Sequence, residues 1–167
     1  MKSETNQAMA TACRLLTARR RTRRELATHL ERKRFSTETI CHVLKTLEQY
    51  GYIDDKTFTR LWVEQRLTKR GLIGLKSELI AKGVDPNTIN EIMAELSPDA
   101  EYNAAMALAL KKVRSSGGNC PFPRMAGFLQ RRGFSFEVIG SICRTLTDSG
   151  VLLNPADLRR LSQETRS

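Results

Sequence analysis

An internal repeat constrains this chain more than any other feature, because a period near 50 residues restricts the fold to tandem supersecondary units. Ile40, Val43, Leu44 and Leu47 stand at i, i+3, i+4 and i+7, the apolar stripe of one helix face. A shift of 49 residues gives Ile89, Ile92, Met93 and Leu96, and a further 50 gives Ile139, Ile142, Cys143 and Leu146. Phe35, Val84 and Phe134 precede the three stripes, and each is followed by a residue suited to cap a helix: Ser36, Asp85 and Ser135. Pro86 suits the first helical position after Asp85. The apolar residue before each cap suits a hydrophobic staple.

Further upstream, Leu26 and Leu30 match Leu75 and Leu79, then Met125 and Leu129, which places a second helix before the capped one. Gly83 and Gly133 end that helix in two copies, as a left-handed position just past a helix prefers. The first copy has Arg34 there, so its turn is expected to differ. Each unit also opens with a helix. In the middle copy it carries Phe58, Leu61, Trp62 and Gln65, is opened by Asp54 or Asp55 and closes near Gly71. In the first it covers about Met9 to Arg19, and in the third the alanine-rich Ala104 to Arg114.

The expected fold is therefore all-α: three tandem three-helix repeats of about 50 residues forming an elongated, curved body. The expected divisions are residues 1–53, 54–99 and 100–150, with a tail or short helix over 151–167 that carries Asn154-Pro155. Residues 115–123, SSGGNCPFP, read as a loop inside the third repeat. No period-2 alternation marks a strand.

Composition narrows the function. The formal charge is +10, which points to a polyanionic partner, nucleic acid most simply, or else to a basic solvated surface. Residues 1–50 hold 11 basic and 5 acidic side chains, residues 51–100 hold 7 and 8, and residues 101–167 hold 10 and 5. Basic ends flanking a neutral middle suit a body that grips an anion near its tips. No run approaches the roughly 20 apolar residues of a membrane span, and the polar start MKSETNQAMATAC has no signal core, so a cytoplasmic monomer is expected. Cys13, Cys41, Cys120 and Cys143 form no CxxC pair, and His29 and His42 sit at no zinc spacing. Reduced, mostly buried thiols are expected, with no metal and no cofactor.

The densest basic cluster is Arg19, Arg20, Arg21, Arg23 and Arg24. Thr22 and Glu25 form a T-x-x-E capping box, so Arg23 and Arg24 fall in a first helical turn, where cations oppose the helix dipole. An anion bound at that helix start would reverse the effect and use its free N–H groups. Arg19 to Arg21 close the preceding helix, where cations are favourable. On this reading the cluster meets phosphate, and reversing Arg23 and Arg24 to Glu weakens DNA binding far more than folding. Arg32, Lys33 and Arg34; Lys69 and Arg70; Lys111 and Lys112; and Arg131 and Arg132 form further candidate phosphate contacts. Most lie in last turns of helices, where dipole complementarity alone could account for them.

Three classes compete. A helix–turn–helix reader of DNA sequence is disfavoured, because the outward positions of the capped helices include Glu38, Glu48, Glu91 and Glu95, which would face phosphate. An enzyme is disfavoured, because no GxxxxGK, HExxH or GxSxG is present. The one adjacent carboxylate pair, Asp54-Asp55, precedes a helix and reads as a cap, and Trp62 reads as core rather than as a base-stacking platform. A protein-binding scaffold fits the neutral middle but leaves the terminal arginines unexplained.

The middle stretch goes further. GYIDD is followed by F-x-x-x-W-V-x-x-R (Phe58, Trp62, Val63, Arg66) and by G-x-x-x-L-x-x-E-L-x-x-K-G-V (Gly71, Leu75, Glu78, Leu79, Lys82, Gly83, Val84). This closely resembles the RecX family of recombination regulators. The first unit agrees through Leu15-Leu16, the arginines and Glu25-Leu26, and the third through Lys111-Lys112 and FLQRRGF, Phe128 to Phe134. The chain departs from the pattern at Arg34, in the SSGGNCPFP loop and after Gly150. The resemblance implies a non-enzymatic modulator of the RecA recombinase built from three three-helix repeats. Such a protein lies along the RecA–DNA filament and inhibits its growth, ATP hydrolysis and strand exchange. It also implies weak binding of single- and double-stranded DNA without sequence preference. The alternative is a nonspecific nucleoid DNA binder with no recombinase partner.

Overall fold

The computed structural model describes residues 2–117 and 120–152, and among them forms nine α-helices. These are α1 (Lys2–Ala18), α2 (Arg23–Arg32), α3 (Thr37–Gln49), α4 (Asp55–Arg66), α5 (Leu72–Ala81), α6 (Pro86–Ala94), α7 (Ala100–Ser115), α8 (Phe122–Gln130) and α9 (Phe136–Asp148). The expected last helix at Asn154-Pro155 lies outside the described residues.

The described residues form two compact units. One comprises those up to Val63 together with Ser77–Glu95; the other comprises Glu64–Lys76 and those from Leu96 onward. In the first unit α1, α2 and α3 enclose Ala8, Ala12, Leu26, Leu30, Val43, Leu44 and Leu47, all buried. In the second, α7, α8 and α9 enclose Ala105, Ala109, Met125, Leu129, Ile142, Cys143 and Leu146. The repeated stripes are thus core in the first and third copies. In the middle copy Ile89 and Ile92 are buried, whereas Met93 and Leu96 are half-buried.

The caps work as the sequence implies. Ser36 Oγ accepts from Thr39 N–H, Asp85 Oδ1 from Asn87 N–H, and Ser135 Oγ from Val138 N–H. Thr22 and Glu25 complete the capping box of α2. Asp54 caps α4, its Oδ1 accepting from Lys56 N–H at 2.9 Å and Thr57 N–H at 3.1 Å.

Four local expectations need correction. The turn at Arg34 does not differ from its counterparts: Arg34 has φ 64°, beside 78° for Gly83 and 76° for Gly133. The same bonds close all three turns, with Phe35, Val84 and Phe134 N–H reaching Leu30, Leu79 and Leu129 O. The backbone bonds hold the left-handed conformation, and the exposed position leaves Arg34 room for its side chain. Helix α1 begins at Lys2 rather than near Met9, because Ala8 and Ala12 pack into the core and Glu4 accepts a 2.8 Å bond from Ser36 N–H. Helix α7 is longer than Ala104 to Arg114 at both ends, and α8 begins at Phe122, inside the expected 115–123 loop. Of the thiols, Cys120 and Cys143 are buried but Cys13 and Cys41 are exposed. Burial raises the Cys143 thiol above its ordinary pKa.

One packing device occurs in both units: the start of a second helix docks on the turn that ends the second helix of the next repeat. In the first unit Thr22 Oγ1 donates to Lys82 O at 2.7 Å, and a Cβ on Gly83 would lie 2.0 Å from Arg24 Cδ. In the second unit Gly71 N–H donates to Arg132 O at 2.9 Å and Gly74 N–H to Gly133 O at 3.1 Å. A carboxylate from the first turn of the next opening helix completes each dock. Asp55 Oδ1 accepts from Arg23 N–H at 2.9 Å, and the buried Glu101 accepts from Leu72 N–H at 2.9 Å. Glu101 also bonds Ser135 N–H and Oγ. The third copy carries Pro121 in the slot of Thr22 and Gly71, so it has no N–H or hydroxyl to donate.

Candidate nucleic-acid interface

The dock of the second unit builds a cationic hollow. Helix α4 ends at Arg66, and the turn into α5 presents Lys69 and Arg70. The Gly71–Arg132 and Gly74–Gly133 bonds hold this turn against the last turn of α8, which presents Arg131 and Arg132. Guanidinium groups cross between the two turns, Arg70 Nη1 donating to Arg131 O and Arg132 Nη1 to Lys69 O, each at 3.5 Å. The hollow encloses about 400 Å³ and is lined by Arg66, Lys69, Arg70, Phe128, Arg131 and Arg132. Among the described residues no carboxylate lines it. The Phe128 ring carries Arg132 Cζ at 4.5 Å and Lys112 Nζ at 5.8 Å from its centroid.

Two basic pairs far apart in sequence therefore meet, Lys69-Arg70 and Arg131-Arg132, and Lys112 reaches the Phe128 ring from α7. Lys111 is exposed on α7 and does not line the hollow. Arg66 and Phe128 join the site although neither stood out as a phosphate contact. The signal for Arg66 was its place one turn before Lys69-Arg70. Phe128 gave none, because an apolar residue at that spacing reads as core.

The first unit has the corresponding hollow, about 280 Å³, lined by Arg21, Arg24, Glu25, Thr28, His29, Arg32, Ala81 and Lys82. Here the charge is partly neutralised. Glu25 pairs with Lys82 at 2.8 Å and with Arg19 at 3.3 Å. Burial alone would raise the Glu25 carboxyl, but hydrogen bonds from Lys82 and Arg19 overcome it and hold the group below the usual carboxylate range. Arg23 is tied to Glu48 at 2.8 Å, and Arg24 lies against Gly83. At the start of α2 the protein supplies an anion of its own, Asp55, which takes the Arg23 N–H. Burial raises the Asp55 carboxyl despite the Arg23 N–H bond, and the charges of Glu48 and Asp54 add to the rise. Reversing Arg23 to Glu would set a third carboxylate beside Glu48 and Asp55.

Arg20 and Arg21 also edge a separate hollow of about 630 Å³ with Cys13, Leu16, Tyr52 and Phe58. Lys33 and Arg34 are exposed at the turn after α2 and line neither basic hollow. Trp62 is half-buried rather than core. It stacks on Phe58 with centroids 5.5 Å apart, donates Nε1–H to Glu78 at 3.1 Å and lies under Lys82 Nζ at 4.5 Å. Among the described residues no group of three or more His, Cys, Asp or Glu could hold a metal ion, and no helix is long and apolar enough to cross a membrane.

Comparison with known proteins decides the family. Residues 8–47 match the family model for the first three-helix domain of RecX, and residues 54–93 match that for the second. The Regulatory protein RecX of Streptomyces coelicolor is 37% identical over 134 residues, covering 77% of this chain and 71% of that protein. The chain belongs to the RecX family. The RecX of Mycolicibacterium smegmatis is 35% identical over 143 residues, covering 80% of this chain and 76% of that one. The crystal structure of RecX from Lactobacillus salivarius superposes with a TM-score of 0.78 at 20% identity, covering 88% of this chain and 99% of that one. A second, of regulatory protein RecX, gives 0.73 at 22% identity over 83% and 72% of the two chains. At that identity the two structures establish likeness of fold. The all-α architecture expected from the repeat is that of RecX proteins.

Proposed function

We propose that this RecX-family chain binds the RecA–DNA filament and restrains its growth, ATP hydrolysis and strand exchange, using salt-sensitive phosphate contacts and a protein contact. The observation that carries the DNA part is the hollow where five cationic side chains, Arg66, Lys69, Arg70, Arg131 and Arg132, converge around Phe128 in a regulatory-family fold. Cations gathered in one hollow raise the local affinity for polyphosphate, and each neutralised phosphate releases counterions. In the first unit Glu25 stands among the corresponding cations and offsets part of their charge. Tyr50 and Tyr52, 75% and 67% exposed, leave that unit an aromatic surface for a protein partner.

The test is ATP hydrolysis by the cognate RecA on single-stranded DNA as the chain is titrated in. Inhibition well below one molecule per RecA subunit supports the filament reading. No effect with DNA binding intact leaves a basic helical DNA binder. Alongside it, the exposed pair Lys69→Glu and Arg131→Glu should lower DNA affinity and reduce the log–log salt slope by roughly 1.4–1.8, the contribution of two phosphates. An unchanged slope refutes the phosphate role of the hollow.

A further inference from the structure

We infer that the hollow of the second unit takes single-stranded nucleic acid in particular, with an unpaired base stacked on the Phe128 ring. This rests on the reading that its cations meet phosphate, and it names the substrate form that the site selects.

The internal repeat supplies a built-in comparison. The two hollows arise from the same dock, and their turn residues correspond: Arg20-Arg21 to Lys69-Arg70, and Ala81-Lys82 to Arg131-Arg132. Two differences set the second apart. The position of Gly74 carries Glu25 in the first unit, which puts a carboxylate into that hollow. The position of Phe128 carries Glu78 in the middle repeat, and that side chain is bonded to Trp62. The lining of the first hollow holds the Glu25 carboxylate and no ring, whereas that of the second holds the Phe128 ring and, among the described residues, no carboxylate.

Cations alone serve duplex and single strand alike. A ring does not. Bases in a duplex are stacked on one another and show a protein only their edges, whereas an unpaired base presents a face, and an aromatic side chain in a basic groove stacks on it. Phe128 is half-buried, anchored on the third-repeat core and open to a space of about 400 Å³, within the roughly 300–1,000 Å³ of small-molecule sites and so large enough for a nucleobase. Arg132 and Lys112 now rest near the ring. A strand entering the hollow offers phosphates to both cations and a base to the ring they vacate.

The experiment uses the full chain and a labelled oligothymidylate of roughly 15 nucleotides, its duplex, and a strand of equal length built of abasic sites. Phe128→Leu keeps apolar bulk and removes the π face. It should weaken oligothymidylate binding roughly 5- to 150-fold, the range for one lost stack, and leave duplex binding and the salt slope unchanged. The unaltered chain should bind the abasic strand about as weakly as the variant binds thymidylate. Phe128→Leu should cause no further loss on the abasic strand. The abasic comparison needs no variant, so it decides the matter even if the variant melts early. Equal binding of abasic and normal strands overturns stacking. The phosphate reading then still stands if Lys69→Glu with Arg131→Glu weakens DNA binding, and falls if it does not. Loss of binding to DNA-free RecA by Phe128→Leu, with strand binding intact, would make the hollow a protein contact and also overturn the proposal.

Discussion

Substituting Gly71 by alanine tests the dock that shapes the second hollow. The backbone of Gly71 is not in the left-handed region, so alanine introduces no local strain there. The added Cβ would lie 2.3 Å from Phe134 Cα and 2.4 Å from both Phe134 N and Gly133 O. Carbon contacts settle near 3.5–4.0 Å, so the dock must open by about 1 Å or more. All three obstructing atoms are backbone and cannot rotate aside. Opening by that distance takes the Gly71–Arg132 bond, now 2.9 Å, and the Gly74–Gly133 bond, now 3.1 Å, beyond hydrogen-bonding range. Two lost bonds cost about 0.5–1.5 kcal/mol each and the overpacking about 1–3 kcal/mol. The stiffer unfolded chain returns about 0.4–1 kcal/mol. The net is a loss of about 1–6 kcal/mol. Urea unfolding followed by far-ultraviolet circular dichroism reads it, with Gly140→Ala as the control. Gly140 lies inside α9 with nothing within 4 Å of its Cβ, so that change should stabilise by about 0.5–1 kcal/mol. If Gly71→Ala unfolds at the midpoint of the unaltered chain, the two turns do not touch in solution and the hollow described here does not exist.

Two further substitutions follow from the same geometry. Arg34→Gly should stabilise by up to about 1 kcal/mol: the left-handed conformation costs an L-residue roughly 1–2 kcal/mol, part of which is offset by the looser unfolded chain. A lower melting temperature would contradict the φ of 64°. Glu25 and Asp55 should show opposite pH dependence. The folded pKa of Glu25 is lowered, so its stabilisation is present above the unfolded value and is lost as pH falls through the folded one. The folded pKa of Asp55 is raised, so the folded state takes up a proton first and gains stability as pH falls through that value. Melting temperatures measured from about pH 7 to pH 3 should show Glu25→Gln destabilised at neutral pH and converging on the unaltered chain in acid. Asp55→Asn, which keeps an acceptor for Arg23 N–H, should be unchanged or higher at neutral pH. A fall at neutral pH there would mean that the charge itself is needed.

The helices were legible because their information is local. A cap and a stripe lie within one or two turns of each other, so Ser36 with Ile40, Asp85 with Ile89 and Ser135 with Ile139 fix three helices from adjacent residues. The start of α1 was not legible: its contacts are Ala8, Ala12 and the Glu4–Ser36 bond, none of which makes an apolar stripe. Arg34 was misread because residue preference stood in for backbone bonding, and the bonds decide. Asp55 could be read as a cap, but not as the cap of α2, whose start lies 32 residues away. The candidate site shows the same limit. Each basic pair was visible, yet nothing in the pairs says that Lys69-Arg70 and Arg131-Arg132 share a hollow while Lys33-Arg34 and Lys111 stand outside it. That grouping comes from the dock, and Phe128 enters only with it.

The docked turns also record which repeats can be neighbours. Turns that receive a helix start, at Gly83 and Gly133, leave no space for a Cβ. The turn at Arg34 carries a full side chain at the same φ sign, and the helix start at Pro121 lacks the donor used at Thr22 and Gly71. The middle repeat alone bears both mating halves. It could be duplicated within the chain and still find partners on each side, whereas a copy of the first or third repeat placed inside would interrupt the series. A relative that keeps this dock should keep glycine at each turn that receives a helix start.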